Sequence, residues 1–178
     1  MSRIGKIPVE LPKGVKAALA NDVVQLEGPL GKLECRPNRG IAIAVEGGKI
    51  VVSLVGKDKQ SATNFGTTRS HLKNCVIGVS TGWKRNLELN GVGYNARVQG
   101  SKLVLAVGFS HEVQLEIPKG VKCTVNKNVI ELESCDRELV GTFAAKIRKV
   151  QPPEPYLGKG IKFAEEVVRR KAGKTGKK

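Results

Sequence analysis

The sequence is poor in aromatic side chains and in acidic ones. Phe, Trp and Tyr make up 4% of its 178 residues, so its cores must be aliphatic, and a continuous stacking platform for single-stranded bases is disfavoured. It has 16 Asp and Glu against 31 Lys and Arg, a formal net charge of +15. This imbalance predicts a polyanionic partner, either nucleic acid or an anionic membrane surface.

Cysteine and histidine are scarce as well. The four cysteines include no Cys-x-x-Cys pair, and with two histidines they show no zinc-ligand spacing, so we interpret them as reduced thiols. His71 and His111 have no identifiable nucleophile or base partner. The sequence therefore predicts no enzyme activity, no metal and no cofactor.

Long apolar runs are missing, and the first residues mix charges, prolines and glycines, unlike a signal peptide. We expect a cytoplasmic protein with no membrane partner. Gly173-Lys174-Thr175 ends like a phosphate-binding loop but lacks the earlier glycine and a preceding strand. The Gly-x-Gly pattern that begins at Gly91 leads into strand residues, not into the helix that dinucleotide binding needs.

The sequence does contain an internal duplication. Residues 11–16 (Leu-Pro-Lys-Gly-Val-Lys) recur at 117–122 as Ile-Pro-Lys-Gly-Val-Lys, an offset of 106, and residues 23–27 match a second block at the same offset. A repeated unit predicts an α+β protein of two similar tandem domains, each a small, mainly antiparallel sheet packed against one helix. The predicted domains are residues 1–82 and 83–178.

In the first copy, β-rich runs predict strands at 23–26, 41–45 and 50–54, with Gly47-Gly48 as a hairpin turn. Each copy then ends in a helix. The first helix is predicted to be capped by Asp58 or Ser61 and ended by Gly78 or Gly82, and the second to be capped by Asp136. Their apolar stripes are Ala62, Phe65, Leu72, Val76 and Val79, and Leu139, Val140, Phe143, Ala144 and Ile147.

Positive charge is concentrated at the end of the sequence, from the last part of the second predicted helix onward. Residues 146–178 hold 11 Lys and Arg against 3 Asp and Glu, a net +8. Within them, residues 152–161 are Pro-Pro-Glu-Pro-Tyr-Leu-Gly-Lys-Gly-Ile. The prolines stop the helix and favour an extended chain, and the glycines on either side of Lys159 permit close approach to an anion.

The tail, residues 169–178, has six basic residues in ten and no acidic one. Alone it is predicted to be disordered, and on RNA to order along the phosphates. The candidate RNA-binding residues are Lys146, Arg148, Lys149, Tyr156, Gly158, Lys159, Gly160, Lys162, Arg169, Arg170, Lys171 and Lys174.

Several motifs in order resemble the bacterial-type large-subunit ribosomal protein L6 family over essentially the whole chain. These motifs are Ser2–Lys6, Leu87–Tyr94, Val107–His111, Lys146–Arg148, Pro152–Tyr156 and Gly158–Ile161. Leu157 stands where the family usually has a lysine, and Asn95 where it often has a basic residue, so two cationic contacts are replaced.

The resemblance implies a non-enzymatic structural constituent of the large ribosomal subunit, with two similar α+β domains, that binds large-subunit ribosomal RNA chiefly through its C-terminal domain. It also implies a place near the base of the factor-binding stalk and the sarcin–ricin region. The expected partners are that RNA, neighbouring ribosomal proteins and, transiently, elongation factors. The N-terminal copy is expected to be a spacer or a protein contact.

Two alternatives remain open from the residues alone. An enzyme acting on nucleic acid needs a carboxylate cluster for metal ions, and the basic segment has only Glu154, Glu165 and Glu166. A free basic RNA chaperone or architectural nucleic-acid-binding protein shares the charge but has no preference for one RNA fold.

Overall fold

The computed structural model describes residues 2–20 and 23–173. In those ranges the chain forms thirteen strands and two helices and divides into two compact units. The division falls after Trp83, except that Cys135–Arg137 belong with the first unit. The predicted α+β class is confirmed.

The first unit contains two three-stranded sheets and the longer helix. Its elements are β1 (Val9–Glu10), β2 (Lys16–Ala20), β3 (Val23–Gly28), β4 (Gly31–Cys35), β5 (Ile41–Glu46), β6 (Lys49–Leu54) and α1 (Lys59–Ser80). The strand orders are β2-β3-β4 and β1-β6-β5, with antiparallel pairing throughout. Gly47 and Gly48 both have positive φ and place Glu46 opposite Lys49, which confirms the predicted hairpin.

α1 ends where a glycine permits a left-handed backbone. The N–H groups of Thr81 and Gly82 donate to the Ile77 carbonyl oxygen at 2.8 and 3.2 Å, and Gly82 has a φ of 78°. Gly82 therefore terminates the helix, whereas Gly78 lies buried inside it. The helix begins after Asp58, whose side chain makes no capping hydrogen bond.

The core of the first unit is aliphatic apart from Phe65 and Cys35. Val24 and Ile50 from the sheets and Leu72 and Val79 from α1 are completely buried in one cluster. Burying each such side chain contributes about 1.5–3 kcal/mol, which is what holds α1 on its sheets.

The second unit also contains two sheets and one helix. Its elements are β7 (Trp83–Asn90), β8 (Asn95–Gln99), β9 (Lys102–Ala106), β10 (Val113–Glu116), β11 (Lys122–Asn126), β12 (Val129–Ser134), α2 (Arg137–Val150) and β13 (Gly160–Phe163). The strand orders are β11-β12-β7-β13 and β10-β9-β8. Val140, Phe143 and Ile147 of α2 are buried, whereas Leu139, predicted on the same stripe, is 37% exposed.

The duplication is visible in the register of the strands. Lys16 lies opposite Glu27 in the β2–β3 pair, and Lys122, 106 positions later, lies opposite Glu133 in the β11–β12 pair. Before each pair, a valine N–H donates to a proline carbonyl oxygen 3.1 Å away. The sequence repeat is therefore a structural repeat.

Candidate nucleic-acid interface

The loop between α2 and β13 is held in one conformation by its own backbone. The Gly158 N–H donates to the Glu154 carbonyl oxygen at 3.0 Å, and the Glu154 N–H donates to the Lys159 carbonyl oxygen at 2.8 Å. The Ile161 N–H donates to the Gln151 carbonyl oxygen at 2.7 Å. These three hydrogen bonds close the loop on itself, although its prolines have no N–H to donate.

The extended chain predicted after the prolines is interrupted by a turn, and it is followed by a strand that the sequence did not predict. Residues 155–157 form a turn, and Gly160 and Ile161 already belong to β13. β13 pairs with β7, placing Gly160 opposite Asn90, and the Ile161 side chain is completely buried in the core. The sheet therefore fixes one end of the loop and α2 the other.

Gly158 and Gly160 are needed by the fold of the loop itself. Both are buried and have positive φ values, 73° and 140°. A Cβ at Gly160 would lie 2.5 Å from the Pro152 carbonyl oxygen and 2.7 Å from the Pro153 Cα, so no other residue fits there without a shift. The glycine thus allows the loop backbone to pack closely against the loop's own prolines.

The exposed members of the loop are Tyr156, Leu157 and Lys159. The Tyr156 and Leu157 side chains are 52% and 64% exposed. Lys159 is exposed between the two buried glycines, and none of the salt bridges in the described ranges includes it. The loop therefore exposes both an ammonium group and a phenol.

Two of the candidate cations have carboxylate partners. The Arg148 guanidinium donates to both oxygens of Glu166, and these hydrogen bonds lower the pKa of the Glu166 carboxyl and raise that of Arg148. The Lys162 ammonium lies 2.9 Å from a carboxylate oxygen of Glu88, its cross-strand neighbour. Both cations therefore form ion pairs within the folded protein in the absence of RNA.

The other candidates lie on the surface around the loop. Lys146 and Lys149 are exposed on α2, as are Arg169, Arg170 and Lys171 in the tail. Lys174 and the rest of the tail lie outside the described residues. The structure thus brings most of the predicted set to the surface of the second unit.

The start of the tail folds back over the loop. The Lys171 N–H donates to the Pro155 carbonyl oxygen at 2.8 Å. The Arg170 guanidinium lies over Gly158, about 3.1–3.5 Å from where a Cβ would be. The loop and the first tail residues therefore form one cationic surface, which the sequence did not indicate.

Two of the remaining reactive side chains are Cys123 and His111. Burial raises the pKa of the Cys123 thiol to about 11, so it is protonated at neutral pH. The His111 ring stacks on Phe109. No group of three or more potential metal ligands occurs within residues 2–20 and 23–173. Neither described helix has the length and apolarity needed to cross a membrane.

The duplicated α+β fold and the ordered cationic loop define a class of basic proteins whose surface suits a nucleic acid backbone. Comparison with known proteins makes this more specific. A family model described as ribosomal protein L6 matches residues 11–82 and again residues 90–164. The chain belongs to the ribosomal protein L6 family, as its motifs indicated, and is accordingly not an enzyme.

Three relatives illustrate the extent of the similarity. The large ribosomal subunit protein uL6 of Wolinella succinogenes is 49% identical over 180 aligned positions, and that of Trichlorobacter lovleyi is 48% identical; each match covers both chains completely. The uL6 of Oleidesulfovibrio alaskensis is 44% identical over 178 positions, covering all of this chain and 99% of its own length.

Proposed function

We propose that this chain is a structural constituent of the large ribosomal subunit in the cytoplasm, where it binds large-subunit ribosomal RNA through its second unit. The observation that carries the proposal is the ordered loop that exposes Lys159 within a segment of net charge +8 (11 Lys and Arg against 3 Asp and Glu). The names of the relatives support the ribosomal assignment.

The proposed mechanism is electrostatic and geometric. Lys159, Lys146, Lys149 and the cations of the tail neutralise phosphates and release counterions. Tyr156 stacks on a base or hydrogen-bonds a ribose. Because the loop is closed by its own backbone, these groups meet the RNA already positioned, so folded RNA is recognised by shape and backbone contact.

The carboxylate partners refine the contributions of the other candidates. Arg148 and Lys162 hold the surface in place through Glu166 and Glu88, and they add positive potential at short range. Gly158 and Gly160 shape the loop and do not themselves touch the RNA. The largest direct contribution is expected from Lys159.

Within the subunit, the proposed position is near the base of the factor-binding stalk and the sarcin–ricin region. The partners there are neighbouring ribosomal proteins and, transiently, elongation factors. The motif resemblance supports this position. The first 82 residues, with 12 Lys and Arg against 6 Asp and Glu, act as a spacer or contact a neighbouring protein.

The test is sedimentation of the protein from a cell lysate, on gradients run at low and at moderate salt. We expect it to travel with the large ribosomal subunit at both. Hydroxyl-radical footprinting of that subunit, with and without the protein, then locates the contact. Protein that stays at the top of both gradients contradicts the proposal and favours the free chaperone or architectural protein.

A further inference from the structure

The second unit carries an exposed apolar surface that backbone recognition does not use. Among the described aromatic side chains, those exposed by more than a third are Tyr156 and Phe109, and Phe109 is 46% exposed. Val92, in the turn after β7, is 97% exposed. Single exposed apolar side chains are ordinary, but those that lie close together mark a candidate interaction site.

These side chains lie at the same end of the second unit as the Lys159 loop. Gly160, next to Lys159, pairs with Asn90 at the end of β7. The following residue, Gly91, lies under the ring of Tyr94, which a Cβ at Gly91 would approach to 2.9 Å. The same ring lies 3.3 Å from where a Cβ of Gly108 would be, immediately before Phe109.

Phe109 is prepared for a stacking contact. Its ring is stacked with that of His111, with centroids 6.0 Å apart and planes inclined by 19°, and both residues remain exposed. A ring already held by a neighbour loses little conformational freedom when it binds.

The charges around this surface suit RNA. The turn at residues 91–94 and the loop at residues 107–111 contain no acidic side chain. The nearest acid in sequence, Glu112, is neutralised by Arg97, whose Nη2 lies 2.8 Å from its carboxylate oxygen. The turn at residues 91–94 follows directly on Asn90, which pairs with Gly160 of the cationic loop, and this proximity favours RNA over a protein partner as the occupant.

We propose that Phe109, supported by His111, stacks on an unpaired base of large-subunit ribosomal RNA at the edge of the phosphate-contacting surface. This inference rests on the proposed function. Unpaired bases in loops and bulges of folded RNA commonly stack on Phe and His rings. The contact adds recognition of an unstacked nucleotide to recognition of the backbone.

The first test compares the full-length protein with Phe109→Leu and Phe109→Tyr, using deproteinised large-subunit ribosomal RNA at several salt concentrations. Phe109→Leu keeps the apolar character and loses the ring, so we expect binding about tenfold weaker with an unchanged salt slope. Phe109→Tyr is expected to bind like the wild type. Val55→Ala, which changes a still more exposed apolar residue of the first unit, is the control.

The second test identifies the contact by chemical probing of the same RNA. We expect the wild type to protect at least one unpaired base that becomes reactive again with Phe109→Leu, while backbone protection from hydroxyl radicals persists. His111→Ala, which removes the supporting ring, is expected to give a smaller loss at the same base. His111→Ala also tests the contact if Phe109→Leu does not fold. The melting temperature of each variant shows whether it is folded.

The outcomes separate the two proposals. Wild-type affinity and base protection by Phe109→Leu would overturn the stacking contact and leave RNA binding intact. Normal RNA binding by this variant with poorer retention in assembled subunits would assign the surface to a protein neighbour and also overturn it. Failure of the wild type to bind the RNA would instead refute the proposed function.

Discussion

The Arg148 guanidinium and the Glu166 carboxylate form a two-pronged ion pair 18 residues apart in the chain. The Arg148 Nε lies 2.8 Å from one oxygen of Glu166 and its Nη2 lies 2.5 Å from the other. Glu166 also accepts the Phe163 N–H at 3.2 Å. One carboxylate thus ties the last turn of α2 to the chain that follows β13, and both flank the loop that contains Lys159.

Replacing Glu166 with Gln is expected to lower the free energy of unfolding by about 1–2 kcal/mol. The variant loses charge-assisted hydrogen bonds, and because a third of the Arg148 side chain is exposed we expect the lower part of the usual range. The control is Glu165→Gln. Glu165 binds Arg85 but is 82% exposed, so its loss should cost less than about 0.5 kcal/mol. Denaturant unfolding of both variants measures the difference, and equal losses would contradict the prediction.

The contribution of Glu166 should also depend on pH. Its pKa in the folded protein lies below the ordinary value of 4.5, chiefly because Arg148 donates hydrogen bonds to the ionised form. The unfolded chain therefore binds this proton more tightly, and the stabilisation is complete above about pH 5 and is lost as the pH falls through the lowered folded value. We expect the stability difference between the wild type and Glu166→Gln to shrink from pH 7 to pH 3. A constant difference would refute this.

The sequence predicted those strands and helices whose formation depends on residues that are close together in the chain. The β5–β6 hairpin follows from Gly47-Gly48 between two β-rich runs, and both helices follow from apolar residues at helical spacing. β2 was missed because none of its side chains is buried, so its stability comes from pairing with β3. β13 was missed because glycine and proline before it favour a loop.

The sequence predicted which residues the candidate site contains, but it did not predict which of them form ion pairs. The charge map indicated the segment that contains Lys159, and the structure shows that lysine exposed. It did not indicate that Lys162 lies opposite Glu88, because the two residues meet only through the register of β13 on β7. Ion pairs between residues far apart in the sequence form only in the tertiary fold, and the periodicity of a single segment does not predict them.

Gly160→Ala is expected to destabilise the second unit by at least about 2 kcal/mol. The new Cβ would meet the Pro152 carbonyl oxygen at 2.5 Å, in a backbone conformation with a φ of 140° that alanine rarely adopts. Gly141→Ala is the control of opposite sign. It lies inside α2 with no atom near its Cβ position, and alanine there should stabilise by about 0.5–1 kcal/mol. Denaturant unfolding measures both changes; a neutral Gly160→Ala would contradict the loop geometry.

Lys159→Ala is expected to weaken binding to large-subunit ribosomal RNA more than Lys162→Ala does. Removing one cation from a phosphate lowers the slope of log K against log salt by about 0.7–0.9. No salt bridge among the described residues includes Lys159. Lys162 is already 2.9 Å from a carboxylate oxygen of Glu88, so we expect its ammonium to be less available to a phosphate. Binding titrations at four or five salt concentrations give the slopes.

Lys13→Ala supplies the matched control for that series, because Lys13 occupies an exposed Pro-Lys-Gly turn of the first unit. If the RNA meets only the second unit, this variant should keep the wild-type slope. Equal slopes for the wild type and Lys159→Ala would remove Lys159 from the interface. A slope reduced as much by Lys13→Ala as by Lys159→Ala would show that charge anywhere on the protein suffices, and that the ordered loop has no special part in binding.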